Sequence, residues 1–402
     1  MHSTPEPSGT TGPQPPAAPG RANPAAACLA KAADALVAVA PPWSILSALL
    51  VYLSYLMDIS PVLTWAGLVL ACLPYPARLL RGQKVIARTP FDIPMVLLLL
   101  GALVGLCISP ERAMSLGAFQ CLLAVVIAYS VLTSDRRPAF WMKVMVVLLL
   151  LGFVAVLILI LVHNPQVYNQ RSLGLSRDTN HGLAFQLAVA AALLFGVAAF
   201  GTRGKTRVLV TLVFLAAATA VVVMTWQSLH SLITGESLSG HDGTSGRLQL
   251  WGRTVDLLSA STVSGAPFTG LGLGCWAQAY YGRMDLWNVP GFWELTHPHN
   301  AYLELVCNAG VLGALSLAVA LVIGTRLSLE IITSARRRPA YGLGIGVVLA
   351  GIVTLLVGLV ESAPMGAPHL GAQTYQYVIC PIPGALAAFL VISHHLTTQE
   401  AT

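Results

Sequence analysis

Residues 296–313, THPHNAYLELVCNAGVLG, combine side chains capable of acid–base chemistry with two glycines three positions apart. His299 and Asn300 precede an apolar run, and Gly310 and Gly313 lie within that run. Histidine changes its charge near neutral pH, so His299 is a candidate general base. On an ideal helix the histidine and both glycines fall on one stripe, where the glycines admit a neighbouring helix. We expect the packing of a neighbouring helix against these glycines to fix the orientation of the imidazole.

Other interpretations of the same stretch stay open. His297 and His299 flank Pro298 in a spacing compatible with metal ligands, but no third ligand stands at a familiar distance along the chain. We therefore predict neither a metal nor a cofactor. Glu294 and Glu304 are rival bases, although nothing marks them as the carboxylate pair of a glycosidase. A histidine at a membrane interface is also common without any chemical role.

Arginines supply the charge that would complement such a base. Arg247 stands in the first turn of a predicted amphipathic helix with Ser245 as its N-cap, so a guanidinium and helix N–H groups would face one anion. The predicted apolar face of that helix consists of Leu248, Trp251, Val255 and Leu258. Arg171 and Arg177 lie in an earlier polar segment that ends near Asn180. A guanidinium can grip two phosphate oxygens at once, which favours an anionic ligand, and contact with lipid headgroups is the alternative.

The elements that must position these residues are membrane helices. The 402 residues are 56% hydrophobic and 9% charged, with a mean hydropathy of +0.74, which excludes an ordinary soluble domain. We predict an all-α, polytopic bundle of 10 to 12 transmembrane helices, in which 27–40 and 264–293 are the uncertain segments. The ten predicted spans are 43–57, 61–77, 92–109, 113–133, 139–162, 182–201, 207–229, 300–325, 341–360 and 373–393.

The distribution of cations predicts the orientation and the domain organisation. By the positive-inside rule both termini are cytoplasmic, and the same rule accounts for most of the net charge of +6 without a nucleic-acid partner. The opposite face then carries two loops, at about 163–181 and 230–299, in which every cation is an arginine. Residues 1–26 are predicted to be a disordered tail, and residues 27–402 form a single transmembrane domain.

The pattern His-Asn, nine residues, Gly, two residues, Gly resembles the signature of the bacterial O-antigen ligase family. That family belongs to a wider superfamily of membrane O-antigen ligases, polymerases and protein O-oligosaccharyltransferases. The large loop before the motif fits this resemblance, as do the arginine of SGRLQLW, Arg247, and the first arginine of RSLGLSRDTN, Arg171. The specific features extend over roughly residues 160 to 320.

The resemblance implies a metal-independent, inverting glycosyltransferase of the bacterial inner membrane with twelve spans and a periplasmic active site. Its donor would be a glycan linked to undecaprenyl diphosphate, and its acceptor lipid A-core, giving lipopolysaccharide within a shell of membrane lipids. His299 would act as the base, while Arg247 and Arg171 would bind the diphosphate and stabilise the leaving group. The remaining substrate-binding candidates are Arg177, Asn180, Trp251 and Asn300, of which Asn300 either orients the histidine or caps the helix.

Two competing functions are expected to differ in acceptor or in chemistry. An O-antigen polymerase or a protein O-oligosaccharyltransferase would use the same donor with another acceptor. A transporter of lipid-linked glycans would use the arginines only to hold the diphosphate. The compact motif and the short chain favour the ligase, and no internal repeat typical of transporters is visible.

Overall fold

The fold of this chain was analysed in a computed structural model, in which helices dominate, as expected where lipid offers the backbone no hydrogen-bond partner. It describes residues 24–56, 59–135, 137, 140–141, 144, 147, 177–201, 204–205, 207–215, 218–219, 244–259, 265–282, 297–334, 341–359, 366–370 and 375–399. In its first part the helices are α1 (Pro24–Ala38), α2 (Ala40–Leu56), α3 (Pro61–Cys72), α4 (Pro74–Leu80), α5 (Asp92–Ile108), α6 (Arg112–Thr133) and α7 (Arg177–Gly196), which continues as a π-helix, Val197–Gly201.

The second part of the chain contains the candidate functional residues. Its elements are α8 (Thr244–Ser259), α9 (Ala266–Thr269), α10 (Trp276–Tyr281), α11 (Ala301–Thr333), α12 (Tyr341–Gly358), β1 (Gly366–Leu370), β2 (Tyr375–Ile379) and α13 (Ile382–Gln399). The segment predicted as the large loop, 230–299, thus holds three helices in its described residues. At the N-terminus, α1 begins at Pro24, just before the predicted end of the tail, and residues 1–23 lie outside the described part.

The membrane-helix character of the chain is confirmed. Within the described residues, four helices are long and apolar enough to cross a membrane: Pro61–Leu80, Arg112–Thr133, Ala301–Thr333 and Tyr341–Gly358. Helices α1 and α2 meet at 75° and would make a fifth span if taken together. Three shorter apolar helices are Asp92–Ile108, Ala188–Phe200 and Ile382–Thr398. Most of the predicted runs 139–162 and 207–229 lies outside the described residues, so the count of ten to twelve stays a prediction.

Within the described residues, a two-stranded sheet near the C-terminus is the exception to a helical architecture that otherwise agrees with the all-α prediction. Strands β1 and β2 pair antiparallel, with Gly366 opposite Ile379 and Leu370 opposite Tyr375. The prediction of one span over 373–393 is wrong, because YQYVI is a strand and the helix begins only at Ile382. Aromatic and β-branched residues favour extended backbone when a partner strand is present. The sheet packs on α6, and the Tyr52 hydroxyl of α2 donates to the Ile379 carbonyl at 2.7 Å.

Helix α11 is held against α5 by a close backbone approach. A Cβ atom on Gly105 would lie 2.2 Å from the carbonyl oxygen of Asn308, and one on Gly101 would lie 2.7 Å from that of Ala309. Such distances are shorter than any real Cβ contact, so only glycine permits this packing. Small residues are the usual means of bringing membrane helices together. The glycines that set the position of α11 therefore include two on its neighbour.

Helix α11 is broken at Gly310, which has φ 58° and ψ −149°. This conformation is almost restricted to glycine, and a Cβ atom there would lie 2.1 Å from the Phe268 carbonyl oxygen of α9. The expected single stripe of His299, Gly310 and Gly313 on an ideal helix is therefore wrong. Gly310 does admit a neighbour at short distance, but it does so by leaving the helical conformation.

Candidate active site

His299 lies in a turn just before α11. Its φ of 50° makes it the non-glycine residue with positive φ among the described residues, and side chains rarely adopt that region without support from their surroundings. The residue is partly exposed, whereas its neighbours His297, Pro298 and Asn300 are buried. A strained, half-open residue within a buried turn is a common arrangement at functional sites.

Asn300 is the N-cap of α11, which is one of its two predicted roles. Its Oδ1 accepts hydrogen bonds from the backbone N–H groups of Tyr302 and Leu303, both at 3.0 Å. Its Nδ2 donates to the carbonyl of Leu359, just beyond α12, also at 3.0 Å. The side chain thus satisfies the start of one helix and ties it to the end of another. These contacts fix the backbone on the C-terminal side of His299.

His297 supports the candidate base directly. Its side chain is buried, and its ring centroid lies 4.2 Å from that of His299 at an interplanar angle of 45°. The His-x-His spacing was considered only as a metal pattern, so sequence reasoning missed this ring contact. The signal was the pair of histidines around Pro298, whose fixed φ limits how the two rings can be arranged. Among the described residues, no group of three or more His, Cys, Asp or Glu side chains is arranged to hold a metal ion.

Helix α8, which carries Arg247, contacts the same turn through Trp251. Trp251, one helical turn after Arg247, donates from Nε1 to the carbonyl oxygen of Pro298 at 3.1 Å. The carbonyl that accepts this bond belongs to the peptide that joins Pro298 to His299. One turn of an α-helix rises about 5.4 Å, so Arg247 lies about that far from Trp251 along α8. Arg247 is itself half-buried.

The face of α8 that packs inside the protein is not the predicted apolar face alone, and the placement of the apolar face at the membrane surface stays a prediction. Leu248 and Val255 are 58% and 48% exposed, whereas Leu250, Thr254 and Leu257 are buried. The helix begins at Thr244 rather than after a Ser245 N-cap. Thr254 explains the difference, because its hydroxyl accepts a hydrogen bond from Trp276 Nε1 at 3.1 Å and so draws this face inward. Leu258 and the partly buried Trp251 are the predicted positions that the structure does place on the packed side.

A glycine turn seats α8 to α10 on the broken helix. Gly270, Gly272 and Gly274, in the GLGLGCW segment, all have positive φ. The Leu271 N–H donates to the Cys307 carbonyl at 2.7 Å, and the Gly274 N–H donates to the Asn308 Oδ1 at 2.8 Å. The break at Gly310 frees carbonyl groups in the preceding turn of α11, and the glycine turn supplies donors to that turn. The predicted tight turn near the membrane is therefore also a docking element.

The two rival bases are placed as follows. Glu304 is 1% exposed, and its Oε1 accepts a hydrogen bond from the Asn308 side chain at 3.2 Å. Since Asn308 also receives the Gly274 N–H, Glu304 belongs to the network that joins α11 to the glycine turn. This buried position does not suit a base that must meet an acceptor from outside. Glu294 lies outside the described residues.

The predicted arginine cluster is only partly described. Arg171 lies outside the described residues. The backbone of Arg177 begins α7, and that of Asn180 lies in the first turn of the same helix. The structure thus brings Trp251 of α8, the helix that carries Arg247, into contact with the peptide before His299, and it describes only the backbone of Arg177 and Asn180.

A protein-family model described as O-antigen ligase matches residues 179–318. The matched segment begins in the first turn of α7, includes Arg247, Trp251 and His299, and ends beyond Gly313. It covers about a third of the 402 residues. No curated protein matches the chain. The match confirms the family resemblance carried by the histidine and the two glycines.

Proposed function

We propose, on the premise that this chain is assigned to the O-antigen ligase family, that it transfers a glycan from undecaprenyl diphosphate to a sugar hydroxyl of lipid A-core. The family assignment implies a glycosyltransferase of the ligase or polymerase type. The proposed reaction occurs at the periplasmic face of the inner membrane, needs no metal and completes lipopolysaccharide. The observation that supports it best is the hydrogen bond that joins the helix of Arg247 to the turn of His299.

The proposed step is a single displacement at the anomeric carbon of the donor. The acceptor hydroxyl gives its proton to the His299 imidazole while its oxygen forms the new bond to carbon. The bond from that carbon to the diphosphate breaks, and the electron pair leaves with undecaprenyl diphosphate. Attack from the opposite face inverts the configuration. Arg247 stabilises the charge that grows on the leaving oxygen, and Arg171 and Arg177 are proposed to assist it.

The local contacts are consistent with one role for His299, as the base, and another for Asn300 and Trp251, which hold the turn. His299 is the half-open member of its turn, so an acceptor can reach its ring. Asn300 bonds to backbone groups of α11 and to the Leu359 carbonyl, which suits support of the turn more than contact with a sugar. Trp251 likewise bonds to backbone. The substrate-binding role of both side chains stays a prediction.

The test is ligation by the purified, full-length protein in liposomes. The liposomes receive undecaprenyl diphosphate-linked glycan and lipid A-core, without any nucleoside triphosphate, and products are separated by size and identified by mass. Ligated lipopolysaccharide supports the proposal. Extension of the glycan on its own lipid would instead indicate a polymerase, and transfer to an added peptide an oligosaccharyltransferase. Glycan that crosses the bilayer without a new covalent bond would indicate a transporter.

Substitution of the two central residues tests the mechanism. We expect His299→Ala to lower the ligation rate about 10²–10⁴-fold, the usual effect of losing a general base. His395→Ala is the matched control, because His395 is exposed on α13 next to His394, which bonds to Glu330 near the far end of α11. A ligation rate of His299→Ala within a few-fold of the control would remove His299 from the mechanism.

Arg247→Ala should lower the rate about 10²–10³-fold, because charge on the leaving oxygen loses its partner. Arg253→Ala, on the same helix, is the matched control and should keep most activity. Arg247→Lys should stay badly impaired if both guanidinium nitrogens grip the diphosphate, since an ammonium acts as a point charge. Full activity of the lysine variant would reduce the role of Arg247 to charge alone.

A further inference from the structure

The histidine turn is fixed by contacts on both of its sides. On the C-terminal side, Asn300 caps α11 and bonds to the Leu359 carbonyl. On the N-terminal side, the Pro298 carbonyl accepts the Trp251 indole N–H at 3.1 Å. His299 stands between these two anchors with a φ of 50°. A residue in that region of backbone space persists only when its surroundings determine it from several directions.

The donor of the N-terminal anchor is itself rigidly held. Helix α8 packs through Leu250, Leu257 and Leu258 into a buried cluster with α10 and α11. A second indole bond, from Trp276 Nε1 to the Thr254 hydroxyl, holds the same helix one turn further along. Trp251 therefore projects from a helix that is held in place by packing and by a second hydrogen bond. Its partner lies 47 residues away in sequence, so the bond joins two separate parts of the chain.

We propose that Trp251 is a positioning residue: its indole N–H, bonded to the Pro298 carbonyl, sets the spacing between the Arg247 guanidinium and the His299 imidazole. This rests on the proposed function, in which one group holds the diphosphate and the other takes the acceptor proton. The leaving oxygen and the attacking oxygen lie on opposite sides of one anomeric carbon. The protein groups that contact these two oxygens, Arg247 and His299, must therefore keep a constant separation. The hydrogen bond from Trp251 to the Pro298 carbonyl joins the helix that carries Arg247 to the turn that carries His299.

The hydrogen bond from Trp251 to the Pro298 carbonyl also restricts the orientation of the peptide before His299. A rotation of the peptide between Pro298 and His299 would turn its carbonyl away from the indole and alter the φ of His299. The bond to Trp251 opposes that rotation, while the buried ring of His297 packs against the His299 ring. Loss of the indole N–H should leave α8 folded and allow the imidazole to move. Displacements of about 1 Å near a reacting centre can lower rates about a hundredfold.

The test compares Trp251→Phe with Thr254→Val in the full-length protein. Each change removes one indole hydrogen bond of α8, but only the first bond reaches the histidine turn. For Trp251→Phe we expect kcat for ligation to fall about tenfold to a hundredfold, with KM for donor and acceptor within about twofold. Thr254→Val should keep its kcat at a comparable loss of thermal stability. If kcat falls equally in both variants, Trp251 is merely structural and the proposal is overturned.

Two further measurements separate positioning from other effects. In the His299→Ala background, Trp251→Phe should lower the residual rate no further, since the tryptophan acts through the histidine. An additional loss of tenfold or more would show that Trp251 acts elsewhere. Hydrogen exchange, followed by mass spectrometry, should quicken in the peptide around residues 297–303 for Trp251→Phe but not for Thr254→Val.

The exchange measurement also distinguishes failure of this inference from failure of the proposed function. It needs no substrate, so it still reports on the turn if the wild-type protein ligates nothing. If hydrogen exchange at 297–303 is unchanged in Trp251→Phe, the proposed positioning role of Trp251 is overturned, even if the wild-type protein ligates. If the wild-type protein does not ligate but hydrogen exchange at 297–303 quickens in Trp251→Phe, the glycan-transfer function is rejected and the positioning role of the Trp251 hydrogen bond is retained.

Discussion

Replacing Gly310 with alanine should disrupt the folded helix assembly around the candidate site. The φ of 58° and ψ of −149° lie in a region that costs other residues about 1–3 kcal/mol. The new Cβ would also lie 2.1 Å from the Phe268 carbonyl oxygen and 2.6 Å from the carbonyl carbons of Phe268 and Thr269. These are backbone atoms that cannot rotate away, and overpacking of this kind costs about 1–3 kcal/mol.

Together the two effects destabilise the folded state by about 2–6 kcal/mol. With the usual unfolding entropy per residue, this lowers the Tm of a chain of 402 residues by about 2–7 °C. The assay is thermal unfolding of the purified protein in detergent, followed by tryptophan fluorescence. Loss of the docked α9 should also lower the ligation rate, because the glycine turn and α8 rest on the same break.

The matched control is Gly324→Ala on the same helix. No heavy atom lies within 4 Å of a Cβ at Gly324, and alanine forms helix better than glycine by about 1 kcal/mol. Its Tm should equal or slightly exceed that of the wild type. If Gly310→Ala unfolds at the same temperature as Gly324→Ala, the break in α11 is not a feature of the folded protein, and the reasoning fails.

Substitutions at three further positions, Asn300, Gly105 and His299, test the supports of the site by thermal unfolding. Asn300→Ala should cost about 1 kcal/mol or more, and Asn300→Asp less, because aspartate keeps the cap acceptor and loses only the bond to Leu359; equal Tm values would contradict the double role. Gly105→Ala should lower the Tm through a 2.2 Å overlap with α11, whereas Gly252→Ala, which meets nothing within 4 Å, should not. His299→Gly should have a higher Tm than His299→Ala, since glycine relieves about 1 kcal/mol of backbone strain at φ 50°.

Hydropathy predicted the helices whose identity depends on local sequence alone. Helices α2, α5, α6, α11 and α12 lie on predicted apolar runs, because any apolar stretch must satisfy its own backbone in lipid. The prediction for the run 373–393 was wrong at its start, because periodicity and hydropathy do not distinguish a short strand from a helix in so short a segment. That distinction required pairing with β1, which immediately precedes β2 in the chain.

The geometry of the candidate site depends on contacts between segments distant in sequence. The stretch from Ala301 to Gly313 is mostly apolar, and the spacing of its two glycines predicts a packing motif on a straight helix. The break follows from the approach of α9, more than 40 residues earlier in the sequence. The same holds for α8, where the bond from Trp276 to Thr254 decided which face is buried. Sequence reasoning identified His299 and Arg247 but could not derive how they are held.

Irregular backbone close to membrane-spanning helices is expensive unless each freed polar group finds a partner. Here the glycine turn and the broken helix satisfy each other: the Cys307 carbonyl receives the Leu271 N–H, and the Asn308 side chain receives the Gly274 N–H. The turn leads through α10 to the cluster that holds α8. Gly310 therefore acts on His299 by a longer route than the predicted helical stripe. Gly310 admits α9, α9 contacts α8, and Trp251 of α8 bonds to the peptide that precedes the histidine.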